Sequence, residues 1–207
     1  GLYAPIGVTH DALMPITNVG RDASTGILHY AMQPADDAST GRPLPRLGFG
    51  EFDLREAERI AESYRPLTLS VLLKSGRLAH DDCLRHGIAL AEAIGYLHRH
   101  DLVHRDIKPS NIILVDGRAK LADIGLVATQ DATRSAGGTR DFVPWFGAGT
   151  PSGDLYALGK VLFMMATGRP VTAFHLGPAL LNAVPRDERR ELAELAVVFG
   201  KACETRS

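Results

Sequence analysis

The pair Asp116-Gly117 stands between two short apolar runs, Ile112 to Val115 and Ala119 to Leu121. Such a two-residue connection closes a hairpin, because Asp and Gly both tolerate the positive φ that a type I′ turn needs at its centre. The surroundings narrow the fold further. His80 to His100 reads as a long helix: Asp81 and Asp82 favour its positive N-terminal end, and Leu84, Ile88, Ala91, Ile94 and Leu97 recur at helical spacing as its core-facing stripe. Beyond the hairpin, a loop rich in Thr, Gly and Ser runs from Ala128 to Gly153. Leu155, Leu158, Val161, Leu162 and Met165 then make a helix so apolar that it belongs near the centre of the domain. It stops at Gly168-Arg169-Pro170, and a last helix after Pro185 carries Leu192, Leu195, Phe199 and Ala202.

Ahead of this helical part lie strand signals. Leu13 to Val19 is apolar but broken by Pro15, Ser24-Thr25-Gly26 is a turn, and Ile27 to Met32 completes a second hairpin. Ala38 to Gly50 has loop composition. Leu54, Ala57, Ala61 and Tyr64 then predict a short amphipathic helix ended by Pro66, and Leu69 to Leu73 a shorter one closed by Ser75-Gly76. Strands first and helices after make the chain α+β. Its 207 residues, 45% hydrophobic and 23% charged, suit one globular domain or one and a half and argue against a disordered or fibrous chain. Lys and Arg (23) nearly cancel Asp and Glu (24), so no strong field draws the chain to nucleic acid or an anionic membrane. Apolar runs such as Val161 to Ala166 are too short to span a bilayer, and no secretion signal opens the chain. Two cysteines, Cys83 and Cys203, cannot build a disulfide framework, which fits a cytoplasmic location.

Between the long helix and the hairpin lies His104-Arg105-Asp106-Ile107-Lys108-Pro109-Ser110-Asn111, and Asp123-Ile124-Gly125 follows the hairpin directly. A lone Asp or Asn in a loop is ordinarily a cap or turn residue. Here the order of helix, charged loop, hairpin and Asp-x-Gly resembles the catalytic loop and metal-binding motif of protein kinases, and the chain is identified as similar to Hanks-type Ser/Thr kinases, the bacterial members above all. The implied architecture is a remnant of the small β lobe followed by a mainly helical large lobe.

The resemblance implies a catalytic set of Asp106, Lys108 and Asn111. An aspartate with an ordinary pKa of about 3.9 is a poor base for an alcohol. It can still orient the acceptor hydroxyl and take its proton late, because a loose transition state asks little activation of the nucleophile. Lys108 would meet the γ-phosphate of ATP, Asn111 and Asp123 would offer hard oxygens to Mg²⁺, and Pro109 would stiffen the loop. His104 would pack under the Asp-x-Gly motif, with Ile124 on it, and Arg105 would hold a phosphate on the following loop. Asp154 would accept backbone N–H groups of the catalytic loop. Val161 and Met165 would lie beneath the strand containing Ile113. Tyr30 to Ala35 would be the hinge, with Met32 as gatekeeper, backbone groups of Gln33 and Ala35 reading adenine, and Ile113 on the adenine face. Gly138-Thr139 and Phe142-Val143-Pro144 resemble the end of an activation segment, and Lys108 with Thr139 is the Ser/Thr-specific pattern. Thr133, Ser135 and Thr139 are candidate phosphorylation sites, Thr139 being expected to contact Asp106 and Lys108.

Three departures qualify the resemblance. No Gly-rich phosphate loop is present, and the lysines are Lys74, Lys108, Lys120, Lys160 and Lys201, none ahead of the hinge. A truncated domain of low activity is therefore expected, with Ile16, Val19 and Ile27 poorly covered. No Glu lies between Gly138 and Asp154 to close the activation segment, where Trp145-Phe146 is expected to pack locally. Third, residues 38–66 form an insertion, either a docking surface or a passive loop. The expected division is residues 1–37 as partial small lobe, 38–66 as insertion and 67–207 as large lobe. A protein kinase acting on Ser/Thr of a protein substrate leads. A pseudokinase-like scaffold stands as the alternative, and a small-molecule phosphotransferase is disfavoured by Lys108 and Gly138-Thr139.

Overall fold

The computed structural model describes residues 10–44, 54–123, 128–129, 139–145, 147 and 149–204. Ile124, Gly125, Thr133, Ser135, Gly138 and Phe146 lie outside the described residues. The order is β1 (Ile16–Arg21), β2 (Leu28–Met32), α1 (Leu54–Ser63), α2 (Leu69–Leu72), α3 (His80–Arg99), β3 (Leu102–Val103), β4 (Ile112–Val115), β5 (Arg118–Leu121), β6 (Ala128–Thr129), α4 (Pro151–Thr167) and α5 (Arg189–Cys203), with short 3₁₀ turns between. Among the described residues no helix is long and apolar enough to cross a membrane.

Helix α4 is the centre of the helical part. The Thr150 side chain accepts the Gly153 N–H, Pro151 sits at the first turn, and Gly168 closes the helix at φ 66. Val161, Phe163 and Met165 are fully buried. Phe163 meets Phe174 and Phe199 edge to face at 5.1 and 5.9 Å. Small residues set the helix spacing. A Cβ on Gly159 would stand 2.7 Å from the Cys203 sulfur, and one on Gly87 would stand 2.8 Å from Leu162.

That second approach corrects the expected stripe of α3. Leu84 and Ile88 are 40% and 58% exposed, whereas Cys83, Gly87, Leu90, Ile94 and Leu97 face inward. The buried stripe is the one whose small members let α3 close on α4. Leu155, at the start of α4, likewise faces out.

Strands β4 and β5 pair antiparallel from Ile112↔Leu121 to Val115↔Arg118, and the connecting Asp116 and Gly117 have φ of 52 and 68. All four residues of β4 are buried, on alternating sides. Ile112 and Leu114 join the main core with Val161 and Met165, while Ile113 and Val115 join a smaller cluster with Met14, Ala35 and Ala122.

The first hairpin is more exposed. β1 and β2 pair antiparallel with an irregularity between Ile16 and Asn18. Its turn is held by the Asp22 carboxylate, which accepts the Ser24 hydroxyl and the Ser24 and Thr25 N–H groups and is thereby held down at about 2. The expected single strand from Leu13 to Val19 is split. Leu13 pairs with Leu121 of β5, Pro15 interrupts, and β1 begins at Ile16. Val19 and Ile27 are exposed as expected, but Ile16 is 7% exposed and belongs to the main core. The ends of the segment after β2 are drawn together, with Asp37 bridging Arg42 and Pro66, and the Ala38 N–H donating to the Arg65 carbonyl at 2.7 Å.

Candidate active site

The loop from His104 to Asn111 leaves β3, whose two residues are buried, and enters β4 through a 3₁₀ turn, Pro109–Asn111. Its shape is fixed from α4. The Asp154 carboxylate, 1% exposed, accepts the His104 N–H at 2.8 Å and the Arg105 N–H at 2.9 Å. It also meets His98 Nε2 at 2.9 Å. These bonds hold Arg105 in a left-handed conformation, φ 74, that a non-glycine residue adopts only when its surroundings demand it.

His104 is fully buried, and burial pushes its pKa down. Its neutral ring has one donor and one acceptor. Nε2 lies 3.0 Å from the Ala122 carbonyl, so it donates there, and Nδ1 faces the Asp106 N–H at 3.4 Å. Both nitrogens are committed to backbone, which gives His104 a structural task. Pocket shape thus passes from Asp154 through His104 to the residue preceding Asp123.

Asp106 is the focus of the loop. One carboxylate oxygen accepts Lys108 Nζ at 2.6 Å and Asn111 Nδ2 at 2.9 Å. The other accepts the Thr139 N–H and hydroxyl, each at 3.1 Å. Lys108 Nζ also donates to the Thr139 hydroxyl at 2.9 Å. Burial alone pushes the Asp106 carboxyl up, yet the Lys108 and Thr139 hydrogen bonds, the Lys108 charge and the Asn111 amide outweigh it, leaving the group below the ordinary carboxylate range. Asp106 is therefore an anion throughout the neutral range.

Asn111 spends its amide nitrogen on Asp106, through both the side chain and the Asp106 carbonyl at 2.8 Å. Its Oδ1 is consequently turned away from Asp106, and the Ser110 hydroxyl approaches it only at 3.4 Å. Asp123 is exposed and has φ 61. Among the described residues no group of three or more His, Cys, Asp or Glu could hold a metal ion alone. An amide oxygen plus one carboxylate is the sparse oxygen set that suits Mg²⁺ when phosphates supply further ligands, so the residues fit that ion.

The expected hinge residues divide. Met32 is 39% exposed, which removes a plain core role, and Gln33 is exposed. Ala35 is buried in one cluster with Ile113. Trp145 stands 81% exposed, and its expected packing partner Phe146 lies outside the described residues. Sequence reasoning missed three residues here. His98 carried a faint signal as a basic residue in the last turn of α3. Tyr64, whose hydroxyl donates to the Ala35 carbonyl at 3.2 Å, and Asp36, buried beside the hinge, carried none.

Residues 60–189 match the protein kinase domain family. The chain belongs to that family. Among curated kinases, the DNA damage-responsive serine/threonine-protein kinase RqkA of Deinococcus radiodurans is 30% identical over 179 residues, covering 79% of this chain and 22% of the relative. The probable serine/threonine-protein kinase PknB of Bifidobacterium longum is 35% identical over 132 residues, covering 56% of this chain and 19% of the relative. The 3-phosphoinositide-dependent protein kinase 1 of Arabidopsis thaliana is 33% identical over 116 residues, covering 47% and 24%. The kinase chain thus spans less than a quarter of the length of these relatives, and its α+β architecture of few strands and a mainly helical large part is that of a Hanks-type kinase domain.

Proposed function

We propose that the chain carries the phosphotransfer site of a Ser/Thr protein kinase that moves the ATP γ-phosphate to protein hydroxyls. The supporting observation is the set of groups gathered on Asp106, with Lys108, Asn111 and Thr139 all within hydrogen-bond distance of its carboxylate. In this reading Asp106 orients the acceptor hydroxyl and receives its proton late in the transfer. Lys108, already bridging Asp106 and Thr139, places a positive charge beside the transferring group. Asn111 Oδ1 and Asp123 would hold Mg²⁺, which supplies charge neutralisation for the phosphates. Met32, Gln33, Ala35 and Ile113 form the adenine end, the backbone of Gln33 and Ala35 reading the base and Ile113 packing on it. The Lys108–Thr139 bond favours Ser/Thr over Tyr acceptors.

The division into residues 1–37, 38–66 and 67–207 belongs to the same proposal. So does a cytoplasmic location, which suits the free thiols of Cys83 and Cys203. None of the five lysines lies on β1 or β2, so transfer by this chain is slow. The same observation favours a pseudokinase-like binding or scaffold module without phosphotransfer as the second reading. Incubation with Mg²⁺ and γ-labelled ATP, offered Ser-, Thr- and Tyr-containing peptides, separates them. Slow Mg²⁺-dependent labelling of Ser or Thr, absent in Asp106→Asn, supports the kinase reading. Nucleotide binding with no labelling beyond the Asp106→Asn level supports the scaffold.

A further inference from the structure

Asp36 follows the hinge residue Ala35 and is 1% exposed, an unusual position for a carboxylate. Its Oδ1 accepts the Asp116 N–H and its Oδ2 the Gly117 N–H, both at 2.9 Å. These donors are the two central residues of the β4–β5 turn, whose positive φ values aim consecutive N–H groups to one side. The backbone repeats the connection. The Asp36 N–H donates to the Leu114 carbonyl at 2.7 Å, the Leu67 N–H donates to the Asp36 carbonyl at 2.7 Å, and the Leu114 N–H donates to the Leu67 carbonyl at 2.9 Å. One residue earlier, the Tyr64 hydroxyl holds the Ala35 carbonyl.

We propose that Asp36 is a positioning residue for the nucleotide, clamping the hinge onto the hairpin that carries Ile113. The inference rests on the adenine-site reading above. Ala35 and Ile113 share one small buried cluster, so a base read by the Ala35 backbone and stacked on Ile113 needs the two segments in fixed relation. Asp36 supplies that relation with two charge-assisted bonds at one end of the four-residue strand β4. Tyr64, directly after α1, limits the carbonyl edge of Ala35. Asp36 and Tyr64 thereby belong to the nucleotide wall.

The test is the affinity of the chain for Mg²⁺–ADP by calorimetry, in wild type and Asp36→Asn, at a temperature where circular dichroism shows both fully folded. Asparagine keeps the volume but replaces one acceptor by a donor facing an N–H. A loss of roughly tenfold in affinity is expected, the equivalent of one charge-assisted hydrogen bond. A purely structural Asp36 would lower the unfolding midpoint and leave the affinity of the folded protein unchanged, which overturns the proposal. Wild-type hydrogen exchange provides a second measurement that needs no variant. Because coupling is reciprocal, Mg²⁺–ADP must slow exchange at the Asp116 and Gly117 amides, and equal exchange with and without it overturns the clamp. A wild-type chain that binds no Mg²⁺–ADP overturns the adenine-site reading itself, and this inference with it.

Discussion

Asp154 and Asp36 solve the same problem in two places. Each is a carboxylate with 1% exposure, and each accepts two consecutive backbone N–H groups, those of His104 and Arg105 for Asp154, those of Asp116 and Gly117 for Asp36. The difference lies in what holds the aspartate and what it holds. Asp154 stands in the first turn of a capped, buried helix and shapes a loop at His104 and Arg105, which are themselves buried. Asp36 stands in a loop and grips a turn whose residues are exposed. Both hold a non-glycine residue at positive φ, Arg105 at 74 and Asp116 at 52, but Asp154 does so from a rigid helix whereas Asp36 joins two segments. The loop around Asp106 is therefore built rigidly, and the segment around Ala35 is joined to the β4–β5 hairpin.

Asp154→Ala should have the largest effect. It orphans buried N–H groups and His98 Nε2, at about 1–3 kcal/mol for each group left unsatisfied, so a loss of at least about 3 kcal/mol is expected in urea unfolding. Asp36→Ala frees N–H groups that water can reach, and the expected loss is about 1 kcal/mol. Equal losses in the two variants would break the comparison.

Acid sharpens it. Burial lowers the pKa of His86 and of His104. A group with a lowered folded-state pKa contributes stability that is present above its unfolded value, about 6.5, and lost as pH falls through the folded value. Each histidine then removes up to about 1.4 kcal/mol per pH unit within that window, and urea midpoints at pH 7.5 and 5.5 measure it. Because His104 lies in the loop held by Asp154, the protection of its amides, corrected for the intrinsic exchange rate at each pH, should fall in acid before that of Asp116 and Gly117 does. The smallest effect is expected of Trp145→Ala, within about 0.5 kcal/mol in the same unfolding experiment, because this side chain is 81% exposed.

What could be read beforehand follows the same division. Part of the Asp106 cluster is local: Lys108 and Asn111 lie within five residues of it, whereas Thr139, 33 residues away, was expected only from the resemblance. The Asp-Gly turn and the closing Gly168 of α4 are also local signals and were legible, whereas the cap Thr150 and Pro151 fell inside the loop expected from Ala128 to Gly153. The face of α3 was not, because two apolar stripes compete along it. Leu84 and Ile88 draw the eye, but Cys83 and Gly87 allow the close approach to Leu162, and packing decides for the smaller side chains. Asp36 was illegible for a different reason, since its partners lie 80 and 81 residues away and are backbone atoms that no residue type announces. Pro15 showed an interruption, though not that Leu13 would cross to pair with Leu121.

The most direct test of the phosphotransfer site compares Mg²⁺–ATP binding and γ-phosphate transfer in the wild-type chain and in Asp106→Asn. Asn keeps the size of Asp106 but removes the charge that Lys108 and Thr139 surround. Binding within about twofold of wild type, with transfer reduced at least ~100-fold, is the predicted result, in the range expected for loss of a positioned acid–base group. Transfer that persists at the wild-type rate in Asp106→Asn would contradict it.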